Sequence, residues 1–210
     1  MLVMDRAFEK LADAFTTKLA DRSREACQMR PGDNPKLWSM QEVVEHLVMT
    51  YRESIHHLDR YVKRGSPTTK GTNWRQFAAR IVVLNVGFFP RGMPAPEFVI
   101  PGRSGLVGHN GNELGMLFKE GLHLLDDELL RCERMLGPGI IASHFRLGPL
   151  SAQQWRKFHV VHGLHHLAQL KRIERAIGSA GSRLLAEKAE IPGDRAGTLE
   201  NSIDSRHAQK

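Results

Sequence analysis

The chain has 210 residues, of which 41% are apolar and 25% charged. That is the balance of a soluble globular domain with enough length to bury a real core, not of a disordered or fibrous chain. A formal net charge of +7 invites an acidic partner, but the lysines and arginines are scattered and aromatics are few, so nucleic acid is not an expected partner.

The opening "MLVMDRAFEKLADAF" lacks a long apolar core before a small-residue cleavage site, so no signal peptide is expected. Phe8, Leu11, Phe15 and Leu19 recur at helical spacing and predict a first amphipathic helix over about 4–21, stopped by "RPGDNP". Ser39 and Glu42 form a capping box that starts a second helix over 39–64, and Gly65 and Pro67 stop it. Val43, Leu47, Ser54, Leu58 and Tyr61 make its inner stripe. "NWRQFAARIVVLNVGFF" is read as a shorter helix. At nine residues its apolar run "IVVLNVGFF" is too short to span a bilayer, so no membrane partner is expected. Residues 90–112, with Pro90, Pro94, Pro96, Pro101 and several glycines, predict a long irregular loop.

A third long helix is predicted over 112–136 from the period of Leu114, Phe118, Leu122, Leu125, Leu129 and Cys132. "GPGIIASHFRLGPL" (residues 137–150) reads as a second loop, and no convincing alternating strands are found. Ser151 and Gln154 form another capping box for a last helix over 152–178. The charge-balanced residues 180–210 read as a disordered polar tail, leaving 1–179 as one helical domain. Four long amphipathic helices point to an all-α four-helix bundle with long irregular loops. Cys27 and Cys132 are far apart and form no CxxC, which implies a reduced, cytoplasmic protein.

The last helix holds four of the chain's 11 histidines within "FHVVHGLHHLAQLK": His159, His162, His165 and His166. At about 100° per residue, and with His159 at zero, His162 falls near about 300° and His166 near about 340°. Trp155, Ile173 and Ile177 share that sector, Gln169 lies near about 280°, and Lys157, Lys171 and Arg175 lie opposite. His162, His166 and Gln169 therefore face inward, His159 borders them, and His165 sits on the other edge. A lone inward histidine is most simply a hydrogen-bonded core residue. Two stacked at i and i+4, with a third alongside, favour chelation of a divalent metal. On the second helix, His46 lies about 100° from the centre of the apolar stripe, although its neighbours Val43, Val44, Leu47, Val48 and Met49 suggest deep burial.

A tryptophan opening the second helix, a histidine about two turns later in "WSMQEVVEHL", and "HGLHHLAQ" late in the chain resemble the DinB/YfiT-like superfamily of metal-binding four-helix bundles. The likeness covers roughly residues 5–178. "FRLGPLSAQQWRKFHVVHGLHHLAQLKRI" is further similar to a subgroup with a Gly-Pro-Leu-Ser loop and a tryptophan before its histidine helix. The resemblance implies that His46, His162 and His166 ligate one divalent ion, nickel or zinc foremost, with iron or manganese as alternatives. It implies a thiol-dependent transferase or a hydrolase, with a small-molecule substrate that includes a low-molecular-weight thiol, and a homodimer. The competing expectation is a non-enzymatic stress-response or binding protein with a structural or vestigial metal site. No glutamate lies inside the HxxxH, so candidates for general base are Glu45 and His159, by sequence proximity alone. His159 and Gln169 are expected to line the pocket or to hydrogen-bond the ligand imidazoles. Glu53/His56 and Glu120/His123 would suit a di-iron bundle, but each pair lies opposite its helix's apolar stripe.

Overall fold

The computed structural model of the protein describes residues 4–90, 92, 94–102 and 107–189. It is mostly helical. Helix α1 (Arg6–Leu19) starts where the Asp5 carboxylate accepts from the Ala7 amide, and it buries Phe8, Leu11, Ala12, Phe15 and Leu19. A short helix, α2 (Arg24–Gln28), follows, capped by Ser23 and carrying the buried Cys27. Helix α3 (Met40–Arg64) begins at the Ser39/Glu42 capping box and ends at Gly65, whose φ of 67° is the left-handed conformation that glycine adopts without strain. The predicted shorter helix is α4 (Trp74–Arg80), which runs straight into a π-helical turn at Ile81–Asn85.

Helix α5 (Gly111–Leu136) starts at an Asn110/Glu113 capping box. It packs against both α1 and α3. Phe15 stacks on Phe118 at 3.8 Å between ring centroids, with Tyr51 edge-on to the same ring. Leu114, Phe118, Leu122, Leu125 and Leu129 are fully buried; each such side chain stabilises the fold by about 1.5–3 kcal/mol before the cost of ordering it. Asp126 ties three helices at once. One carboxylate oxygen accepts from the Asp5 amide at 2.7 Å and the other from Arg156 Nε at 2.7 Å. A buried carboxylate needs such partners.

The segment expected to be a loop between α5 and the histidine helix is instead an antiparallel hairpin, β1 (Ile140–His144) and β2 (Gly148–Ser151). Its pattern escaped the periodicity test because the register shifts between Ile140 and Ala142, which breaks the alternation of faces. Helix α6 (Ala152–Ala189) follows directly, with the expected Ser151/Gln154 capping box at 3.0 and 3.3 Å. It continues past the boundary placed at 179; residues 190–210 lie outside the described residues. Helix α6 packs on α1, α3 and α5. Gly163 makes the approach to α1 possible, since a Cβ there would lie 2.5 Å from Leu11 Cδ2. No helix among the described residues is long and apolar enough to cross a membrane. Cys27 and Cys132 are buried free thiols.

Candidate metal centre

The first turns of α3 are buried on nearly every side: Val43, Val44, Glu45, His46, Leu47 and Val48. The long loop before α5 accounts for this by lying across them. The Gly102 amide donates to Glu45 Oε2 at 3.1 Å, the His109 amide donates to Gln41 Oε1 at 3.0 Å, and the Val99 carbonyl meets His46 Nδ1 at 2.8 Å. Apolar residues all round a helix signal burial on all sides. Here that burial brings His46 to the inner face of α6.

Three imidazoles converge. His166 Nε2 lies 3.0 Å from His162 Nε2, and His46 Nε2 lies 3.4 Å from it. The three ligand atoms all lie within 4.8 Å of one another, and all three residues are buried. The outer nitrogens decide the tautomers. His46 Nδ1–H donates to the Val99 carbonyl, and His166 Nδ1–H donates to Gln169 Oε1 at 2.8 Å. Both rings therefore present an Nε2 lone pair to His162. The His162 Nε2 can carry a proton to at most one of them, so lone pairs face each other without enough protons to share. A cation removes that repulsion. Two nitrogens at the usual Zn–N distance of about 2.0–2.1 Å in a tetrahedron stand about 3.3 Å apart, close to the separations found here. The donor set fits a divalent ion.

The rings are also in the protonation state that a ligand needs. Burial, reinforced by the neighbouring histidines, pushes the His162 pKa well below its ordinary value. Burial, with His46 and His165 nearby, lowers His166 to about 3. Burial lowers His46 too, offset in part by the Val99 hydrogen bond. Trp38, the tryptophan that opens α3, covers the group, with ring centroids 5.1 Å from His46 and 6.4 Å from His166.

All three histidines line one side of a cleft of about 2080 Å³. Both long segments form its walls, Phe98 and Val99 of the first and Ser143–Leu147 of the hairpin, and Phe89 adds to them from just before the first. The π-helical turn adds Val82 and Val83. Gln169 lines the cleft and supports His166, as expected. His159 does neither. It is wholly enclosed, between Tyr51, Trp155 and Phe158, and neither ring nitrogen has a hydrogen-bond partner among the described residues. Its burial lowers its pKa to about 3. Its place on the helix wheel put it at the border of the sector of His162 and His166, but it sits one turn earlier on α6, enclosed against Tyr51 of α3. Glu45 is buried and occupied by Gln41 Nε2 at 2.8 Å and by the Gly102 amide, so it anchors the loop. Glu53, His56 and Glu120 are exposed. Among the described residues, His46, His162 and His166 are the one group of three or more candidate ligands close enough to hold an ion.

Sequence reasoning missed Trp38 as a cover, the Val99 carbonyl as a support, and His144, which lines the cleft from the hairpin. Trp38 was read only as the residue that opens the second helix, Val99 carries no signal of its own, and His144 was hidden in a segment read as loop. Comparison of the chain with protein-family models, with curated proteins and with solved structures finds no match.

Proposed function

We propose that His46, His162 and His166 hold one divalent ion, zinc or nickel foremost, in a DinB/YfiT-like four-helix bundle, and that the chain is a metal-dependent enzyme of thiol-dependent transferase or hydrolase type. The observation that carries the reading is the convergence of three Nε2 atoms, two of them with their Nδ1 pinned, on the wall of a large open cleft. Such an ion supplies Lewis acidity and lowers the pKa of a bound water or thiol. The chain's own residues do the rest. Val99 and Gln169 hold two ligand rings in register, and Trp38 shields them from one side. Three protein ligands leave positions open toward the cleft, as a catalytic site requires.

Two carboxylates line the cleft, Glu53 and Asp59, and both stand further along α3, away from the triad. Neither is placed as a base beside the triad; a thiol whose pKa a bound ion would lower could release its proton to solvent, so thiol transfer would not need one. The same fact also suits the second reading, a binding protein whose metal is structural. Metal content and turnover of the wild type and of His162→Ala, across a thiol-conjugation and esterase panel, separate these readings. Wild type should bind one ion per chain and turn over a thiol-dependent substrate, and His162→Ala should do neither. Full metal occupancy in the variant sinks the site. Metal without turnover in the wild type selects the structural reading.

A further inference from the structure

The cleft has a second pole, on the hairpin side. The His144 ring is 6% exposed and lines the cleft. Its Nδ1 accepts from two main-chain amides, Arg146 N at 3.1 Å and Leu147 N at 3.2 Å. An imidazole whose Nδ1 receives two donors is neutral and carries its proton on Nε2. Among the described residues nothing accepts from that Nε2–H, so it is a preset donor available to the cleft. Ser143, the preceding residue, accepts through its carbonyl from His57 Nε2–H at 2.9 Å, and His57 Nδ1 in turn accepts from Arg60 Nη2 at 2.7 Å. That bond engages one of the guanidinium's five N–H groups. Lys70 is also close enough to disfavour a charge on His57. Among the described residues, seven lysines or arginines line the cleft against two carboxylates, and one of those, Asp59, is already paired with Lys63 and Arg131.

We propose that His144 Nε2–H, Arg60 and Lys70 form a subsite for the oxyanion head of an organic substrate, a carboxylate or a phosphate monoester, whose apolar body lies between this pole and the histidine triad. The body has a path. Phe158 lies tilted against His144 at 4.5 Å and near-parallel to His162 at 5.7 Å between centroids, and Phe89 adds a second ring 4.9 Å from His162. A buried neutral donor gives direction, and the nearby cations give charge without being buried themselves, which avoids the desolvation cost of a buried ion. This reading rests on the cleft serving the proposed metal centre, but the subsite itself contains no metal ligand.

The test uses three probes at 0.15 M salt, where exposed charges alone are largely screened: 4-phenylbutyrate, its uncharged amide, and phenyl phosphate. Binding is measured by calorimetry to chelator-treated and to zinc-loaded protein, with metal content determined in parallel. The anions should bind at least about tenfold tighter than the amide in both forms, the size of effect that one or two charge-assisted hydrogen bonds carry. The order of carboxylate and phosphate identifies the head group. Arg60→Gln and His144→Asn should reduce the preference to less than about threefold; the asparagine oxygen can still accept from the two amides, so the hairpin turn is kept. Equal binding of the amide, or absence of binding by all three probes, overturns the proposal. So does a preference seen in the zinc form alone and untouched by either variant, because the ion would then be holding the anion. Failure to take up zinc counts against the metal reading only, since the chelated protein still reports on the subsite.

Discussion

At the scale of single residues, the centre depends on which nitrogen of each ring is free. Gln169 fixes His166 through a 2.8 Å hydrogen bond. Gln169→Leu should keep the fold and weaken metal affinity about 10–100-fold, the usual cost of losing such a support. Competition with a chromophoric chelator measures it; an unchanged affinity would mean that the ring is held by packing alone. His159 makes the opposite prediction. Its two nitrogens are enclosed without partners, and replacing an unsatisfied buried polar group by an apolar one of similar shape is close to neutral or stabilising. His159→Phe should therefore retain metal affinity within about threefold and lose no stability in urea. A tenfold loss of affinity would restore the supporting role that its place on the wheel suggested.

At the scale of elements, the site exists because α6 approaches α1 and α3 closely enough for α3 to present His46. Gly163 lies between His162 and His166 of α6, and a Cβ there would meet Leu11 Cδ2 at 2.5 Å. Gly163→Ala gains about 1 kcal/mol of helix propensity but overpacks a filled core, at a cost of about 1–3 kcal/mol. The net effect should be a loss of roughly 1 kcal/mol, with weaker metal binding as α6 is pushed outward. Gly111→Ala should cost more. Its Cβ would fall 1.8 Å from the Leu19 carbonyl oxygen, a backbone atom that cannot rotate away. Denaturant midpoints should rank wild type above Gly163→Ala and Gly163→Ala above Gly111→Ala; the reverse order would show that the helix ends yield more readily than the core.

At the scale of the whole molecule, the buried histidines set an acid limit. His144, His159 and His166 have pKa values lowered to about 3, with burial the main cause in each, and His162 and His46 are lowered in the same way. In the unfolded chain each titrates near about 6.5. Below that pH the unfolded state binds protons that the native state does not, so the stability these rings carry is complete above about pH 6.5 and is lost as pH falls toward about 3. Each ring contributes up to about 1.4 kcal/mol per pH unit within that window. Metal-free protein should show a urea midpoint that falls steeply between pH 6.5 and 4.5, above the range where carboxylates dominate; a flat profile there would contradict burial of neutral rings. An ion bound to the native state adds stability by mass action, about 2.7 kcal/mol at a hundredfold excess over Kd. Zinc should raise the wild-type Tm by roughly 5–10 °C and leave that of His162→Ala unchanged.

The sequence by itself determined the long helices, their caps and the shared face of His162 and His166, because a 3.6-residue period and a capping box are local properties that neighbours along the chain fully specify. It also singled out the stretch of α6 from which His162 and His166 join His46 in a buried three-histidine group that could hold an ion. Only the tertiary structure decided the rest. His46 stands about 100° from its helix's stripe, and what brings it inward is the loop around Val99 and Gly102, a segment without periodicity. His159 bordered the sector of His162 and His166 on a helical wheel, yet it is sealed away from the cleft, because the wheel records direction around one axis and not depth between two helices. The hairpin and its His144 were invisible for a related reason. A register shift removes the alternation that marks a strand, and two main-chain amides fix the imidazole only after the chain has turned back on itself.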